Sequence, residues 1–180
     1  MKIKIRIVYL IKISTVSIIA ILTFGNAQTK EFIPFIIEDQ YKREYTEDAW
    51  QDSILILFGS DSKGSKYSSI WSKTIYDSLQ SVSPDYPVKR VGLADLRGVP
   101  FLLKGFIRGQ FNDNSKKIIL MDWDGEFAKT YSFVENESNI LIFGINRHLA
   151  YQTSVKEIEN IKLREMLSIL EKLVNINNHL

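Results

Sequence analysis

Apolar residues in this chain come in short runs separated by Gly, Ser, Asn, Asp and Pro, and the spacing within each run sets the element it predicts. Residues 54–58, Ile-Leu-Ile-Leu-Phe, are an unbroken apolar run of strand length. Such a run suits a central strand buried on both faces. A Gly/Ser-rich turn follows, and then Tyr67, Ile70, Trp71, Ile75 and Leu79 recur at helical spacing, with Ser, Lys and Asp opposite them. Ser83-Pro84-Asp85-Tyr86-Pro87 breaks that helix. Residues 88–94 and 117–123 predict two further strands. Between them Phe101, Leu102, Leu103, Phe106, Ile107 and Phe111 predict a helix with a broad apolar face, Lys104 and Arg108 forming its solvated side and residues 112–115 ending it.

The flanking stretches are shorter. Residues 32–37 are apolar around Pro34, which suits an edge strand or a lead-in segment better than a central strand. Residues 38–41 read as a turn, 43–45 as a returning strand, and 46–50 as one helical turn capped by Thr46. Asp124-Gly125 closes the third strand, and residues 126–131 form a short amphipathic turn. Residues 139–145 are the next apolar strand, and after Asn146-Arg147 residues 148–153 return antiparallel. Ser154-Val155-Lys156-Glu157 has the form of a capping box opening a last helix. Leu163, Met166, Leu167, Leu170, Leu173 and Val174 are its stripe, and residues 175–180 are expected to fray. Trp50, Trp71 and Trp123 read as core or rim packing.

Charge patterning changes the picture at the N-terminus. Lys2, Lys4, Arg6 and Lys12 precede a charge-free apolar segment at residues 13–24, followed by Gly25-Asn26-Ala27. That is a signal peptide over residues 1–27, too short for a stable bilayer span, leaving a domain of residues 28–180. The expected location is the periplasm or the exterior, with membrane contact only if the leader is retained as an anchor. The leader holds four of the 23 basic residues and none of the 21 acidic ones, so the formal charge of +2 becomes −2, 19 basic against 21 acidic, once it is removed. With no basic run interleaved with aromatics, a nucleic-acid partner is not expected. The chain has no cysteine. Thiol redox, thiol nucleophiles and Cys-ligated metals are thereby removed, and stability rests on the core alone.

The element order is β-α-β-α-β-(short helix)-β-β-α. It demands parallel strands with crossover helices early and a hairpin closed by a helix late. Residues 118–131, Ile-Ile-Leu-Met-Asp-Trp-Asp-Gly-Glu-Phe-Ala-Lys-Thr-Tyr, resemble the redoxin pattern of apolar strand, Asp, Gly turn and small/aromatic helical turn. Residues 139–147 resemble the strand carrying the hairpin turn in that family. With Val91-Gly92-Leu93-Ala94-Asp95-Leu96-Arg97-Gly98-Val99-Pro100, the chain resembles the YtfJ-like group of exported, redoxin-related proteins of unknown function, over residues 35–173. The resemblance implies an α/β, thioredoxin-like fold of the peroxiredoxin-like variant, a central mixed sheet flanked by helices. It carries no catalytic residue across. Lys63-Gly64-Ser65-Lys66 stands where a thioredoxin places its two cysteines, and only serines stand where a peroxiredoxin places its peroxidatic cysteine.

Candidate chemistry is therefore confined to strand ends. Ser60, Asp61, Ser62, Lys63, Ser65, Lys66 and Ser68 occupy the loop before the first helix, whose exposed N–H groups suit an anion. Asp95 and Arg97 lie at the next strand end, as a site pair or a local salt bridge. A nucleophilic serine needs a positioned base, and the only histidines are His148 and His179. Asp122-Trp123-Asp124-Gly125 mimics the strand-end pair of haloacid-dehalogenase-type phosphatases, but no Asp follows it to complete a Mg²⁺ site, and Phe133 stands at the twelfth position of a calcium loop. The reading is a redox-inactive binding or interaction module for a protein partner or small ligand, with neither metal nor cofactor. The alternative is a non-thiol hydrolase or phosphoryl-transfer enzyme using residues 60–68 or Asp122 and Asp124.

Overall fold

The computed structural model describes residues 32–82, 88–111 and 117–177. The leader, the breaker at 83–87, the helix stop at 112–115, and residues 178–180 with His179 lie outside the described residues. A hairpin comes first, β1 (Ile36–Glu38) with β2 (Glu44–Thr46), then a 3-10 turn at Glu47–Trp50. The sheet is built from β3 (Ile54–Ser60), β4 (Val88–Asp95), β5 (Ile119–Asp122), β6 (Ser138–Phe143) and β7 (Leu149–Val155). Helix α1 (Ser65–Val82) joins β3 to β4. A 3-10 turn at Phe101–Leu103 leads into α2 (Lys104–Gly109), α3 (Glu126–Thr130) follows β5, and α4 (Asn160–Asn177) closes the chain.

The five strands lie in the order β5-β4-β3-β6-β7. β3 pairs parallel with β4, and β4 with β5, whereas β6 runs antiparallel to β3 and β7. The apolar run predicted as the central strand is β3, and every residue of it is buried. Alternation sends Ile54, Ile56 and Phe58 to one face, where Trp71 and Ile75 of α1 meet Met166 and Leu170 of α4. Leu55 and Leu57 go to the other face, with Phe32, Phe35, Trp50, Phe127 and Tyr131. Residues 32–35 are thus a lead-in segment, since only Ile36–Glu38 is strand.

Several sequence expectations are corrected. The capping box does not open α4: Ser154 and Val155 belong to β7, where Val155 pairs with Ser138, and the helix starts at Asn160. The Ser154 hydroxyl has a tertiary partner instead, donating to Asn139 Oδ1 at 2.8 Å. Thr46 ends β2 in extended backbone and makes no side-chain cap. The broad apolar helix over 101–111 is a 3-10 turn and a six-residue helix, with Phe101, Leu102, Leu103 and Phe106 exposed. Arg108 is not on a solvated face, because its guanidinium turns inward to Glu38 Oε2 at 2.5 Å and the Asp39 carbonyl at 2.6 Å. Helix α4 continues through Asn177, and the rest of the tail expected to fray lies outside the described residues.

Candidate functional site

Register brings the strand ends together. Ser60 lies beside Ala94, Gly59 beside Asn139, and Asp95 beside Asp122, so four strands deliver their polar ends to one edge of the sheet. The loop leaving β3 is folded by its own carboxylate. Asp61 Oδ1 accepts the Gly64 N–H at 2.7 Å, its carbonyl accepts the Ser65 N–H at 3.0 Å, and Oδ2 reaches across to the Asn136 N–H at 2.8 Å. An internal anion thus occupies the start of α1, where the helix dipole favours negative charge.

The loop at 132–137 is seated directly on this corner. A Cβ placed on Gly64 would come within 2.2 Å of the Glu137 carbonyl oxygen, so only glycine lets the two backbones pass. Asn139, buried at the start of β6, ties the same loop to the sheet. Its Oδ1 accepts the Val134 N–H at 2.7 Å, and its Nδ2 donates to the carbonyls of Val134 and Gly59. Ser68 Oγ donates to Ser138 Oγ at 2.9 Å, and Ser65 Oγ donates to the Ser62 carbonyl at 2.8 Å. Ser60 and Ser68 are buried, whereas Ser62, Lys63, Ser65 and Lys66 are exposed, Lys66 with its ammonium 4.7 Å from the Tyr67 ring centroid.

Asp95 and Arg97 form a fork-to-fork pair. Arg97 Nε donates to both carboxylate oxygens at 2.9 and 3.1 Å, and Nη2 donates to Oδ2 at 2.7 Å. Those hydrogen bonds raise the Arg97 guanidinium above its ordinary value, against the opposing pull of burial. The Arg97 stem rests on Gly125, where a Cβ would lie 2.1 Å from Cδ. Asp122 is spent on structure. Its carboxylate accepts the N–H groups of Glu126, Phe127 and Ala128 at 2.9, 3.1 and 3.3 Å, capping α3. Burial pushes its carboxyl up, and the three N–H groups pull it back. Asp124 is exposed beyond it.

Two clefts flank the corner. One, of about 370 Å³, is lined by Asp61, Asp95, Arg97, Gly98 and Glu135. The other, of about 540 Å³, is lined by Ser62, Lys63, Lys66, Tyr67, Asn136 and Lys156. The structure thus brings together Asp61, Asp95 and Arg97 in one cleft and Ser62, Lys63 and Lys66 in the other, while Ser60, Ser65 and Ser68 line neither. Sequence reasoning misses Glu135, Asn136 and Lys156. The only signal for them is the strand start at Asn139, since long-range loop seating leaves no periodicity. No group of three or more acidic or histidine side chains suited to a metal ion occurs among the described residues. Trp71, next to the corner on α1, is core packing: it is buried and donates its ring N–H to the Lys156 carbonyl at 3.1 Å.

Solved structures share this fold. BsSco, of the Sco family of cytochrome c oxidase assembly proteins, superposes with a TM-score of 0.60 at 9% identity, over 83% of this chain and 96% of its own. The exposed lipoprotein thioredoxin Etrx1 of Streptococcus pneumoniae gives 0.56 at 14% identity, over 78% and 99%. A peroxiredoxin-like protein from Aquifex aeolicus gives 0.50 at 13% identity, over 81% and 86%. The chain has a thioredoxin-like fold. At these identities the likeness speaks to the fold alone. No protein-family profile matches the chain, and no curated protein does.

Within that fold, the β3–α1 corner holds Lys63-Gly64-Ser65-Lys66, and the chain has no cysteine to place there. The Asp61 carboxylate, the Asn139 amide and the Ser65 and Ser68 hydroxyls bond to one another's elements and to backbone. None of its serines donates to a basic side chain among the described residues.

Proposed function

We propose that this is an exported, redox-inactive thioredoxin-fold protein of YtfJ-like type that acts by binding a protein partner or small ligand at its strand-end rim. The rim comprises residues 60–68 with Asp95 and Arg97. One observation carries the reading: the corner is held rigid by Asp61, which bonds both Gly64 and Asn136, while a cleft stays open on either side. Preformed clefts lined chiefly by charged and polar side chains suit recognition of a charged or polar group on a partner or ligand. Catalysis by a serine would require a base in reach, and the hydroxyls of Ser65 and Ser68 donate elsewhere. Export rests on the leader pattern at residues 1–27 and is in keeping with a fold shared by an exposed lipoprotein.

The test places a photocrosslinking side chain at Lys63, in the larger cleft, and for comparison at Glu171, exposed on α4. In cells, the Lys63 position gives a discrete adduct that the Glu171 position does not. Equal labelling at both positions rejects the rim as the binding site. Reduction of insulin disulfides, or hydrolysis of an ester or phosphate monoester lost in Ser65→Ala, rejects the non-catalytic reading.

A further inference from the structure

The larger cleft is framed by fixed backbone and faced by free side chains. Four segments meet there. The loop leaving β3 brings Ser62 and Lys63, the first turn of α1 brings Lys66 and Tyr67, the loop before β6 brings Asn136, and the end of β7 brings Lys156. Each is pinned through its main chain. The Ser62 carbonyl accepts the Ser65 hydroxyl at 2.8 Å, and the Tyr67 N–H donates to the Gly64 carbonyl at 2.9 Å. The Asn136 N–H donates to Asp61 Oδ2 at 2.8 Å, and the Lys156 carbonyl accepts the Trp71 ring N–H at 3.1 Å. Among the described residues the side chains of Ser62, Lys63 and Asn136 make no hydrogen bond or ion pair, and Lys66 has only its contact with the Tyr67 ring. Lys156 comes no nearer to Glu137 Oε1 than 3.6 Å, beyond hydrogen-bonding distance. Donors set on a fixed frame lose little conformational freedom when a ligand takes them up.

We propose that this cleft binds an acidic segment of a protein partner, whose carboxylates face Lys63, Lys66 and Lys156. The inference rests on the rim reading and names the chemistry of the partner. Charge sets the sign. The lining holds three lysines and no carboxylate. Of the acids nearby, Asp61 already accepts the N–H groups of Gly64 and Asn136, and Glu137 matches Lys156 alone, so Lys63 and Lys66 stay unmatched. The smaller cleft has no such excess, because its one cation, Arg97, is forked onto Asp95, with Glu135 in the same lining. The anion site expected on the N–H groups at the start of α1 is filled by Asp61, so what remains for a ligand is the lysine ammonium groups, strong donors to carboxylate. Lys66, in the first turn of α1, also opposes the helix dipole, a penalty that an incoming anion removes. Shape favours a chain over a small anion. Small-ligand sites are mostly apolar, whereas here only the Tyr67 ring is. Each contact with an exposed lysine is weak in water, so affinity comes from several carboxylates held on one chain.

The test reads the fluorescence anisotropy of a dye-labelled peptide of alternating glutamate and glycine, and of its glutamine counterpart, titrated with the full chain at low salt. The glutamate peptide binds and the glutamine peptide does not, and added salt releases the bound peptide. Lys63→Gln together with Lys66→Gln weakens binding about tenfold, since two exposed charge contacts are together worth about that. Both lysines are exposed and unpaired, and unchanged far-ultraviolet dichroism verifies that the double variant is folded. Lys89→Gln together with Lys172→Gln removes the same charge from exposed positions outside the cleft lining and leaves the affinity as it was. A glutamate peptide that does not bind overturns the proposal. Equal weakening in the two double variants also overturns it, since the attraction is then to net charge and not to the cleft. So does calorimetric binding of inorganic phosphate that needs Lys63 and Lys66, in a protein that ignores the glutamate peptide, because the cleft is then a small-anion site. In each of these cases a discrete crosslink from position 63 in cells still upholds the rim as a binding site, and equal labelling at position 171 rejects it, so the two readings fail separately.

Discussion

Gly64 sits just before the first residue of α1, beneath the Glu137 carbonyl, where interior helix propensity gives alanine no advantage. An alanine methyl group would meet backbone oxygen at 2.2 Å, and backbone held by Asp61 and Asn139 cannot swing aside as a side-chain tip would. Gly64→Ala should therefore lower stability by about 1–3 kcal/mol, the range for overpacking. Gly105, inside α2, has nothing within 4 Å of the place an alanine methyl would take. Gly105→Ala should raise stability by about 0.5–1 kcal/mol. Urea denaturation of both variants decides the matter, and a Gly64→Ala midpoint at or above wild type would mean that the 132–137 loop is not seated on the corner.

At the scale of elements, Asn139 joins three of them. It bonds β3 through the Gly59 carbonyl, β7 through the Ser154 hydroxyl, and the 132–137 loop through both backbone groups of Val134. Removing it leaves buried backbone groups without partners, each costing about 1–3 kcal/mol. Asn139→Ala should therefore cost about 3 kcal/mol or more in urea, and Ser154→Ala, which removes one of these bonds, about 1 kcal/mol. Equal losses for the two variants would show that Asn139 acts only through Ser154. The web also explains what can be read from the chain. Strand β3 is legible because an unbroken apolar run has one meaning in a doubly covered sheet, and α1 because Tyr67, Trp71, Ile75 and Leu79 keep a helical period. The capping box misleads because a serine before a helix has the same local pattern whether its hydroxyl serves the helix or, as here, a distant asparagine. Residues 101–106 mimic a buried face because apolar spacing states which side of a helix is greasy and not what covers it. Arg108 escapes local reading because its partners lie about 70 residues away in sequence, beyond any window of local pattern.

Over the whole molecule, one sheet serves two cores. Leu55, Leu57, Leu141 and Phe143 face the cluster of Phe127 and Trp50, while Ile54, Ile56, Ile140 and Ile142 face that of Trp71 and Met166. Because successive residues of β3 and β6 alternate between clusters, neither core can be lost without unpairing the strands that the other packs on. With no disulfide to hold one half in place, the two faces should unfold together. Phe127→Ala on one face should cost about 3–5 kcal/mol, and Met166→Ala on the other about 2–5 kcal/mol. Each should lower the single midpoint without changing the slope against urea. Two tryptophans report on the faces separately, Trp50 beside Phe127 and Trp71 beside Met166, so their signals can be isolated in Trp71→Phe and Trp50→Phe backgrounds that also carry Trp123→Phe. The two signals should move together in both alanine variants and coincide with the far-ultraviolet dichroism. A Phe127→Ala protein in which the Trp50 signal is lost at lower urea than the Trp71 signal would mean that the helical face folds as a unit of its own, and that the shared strands do not couple the halves.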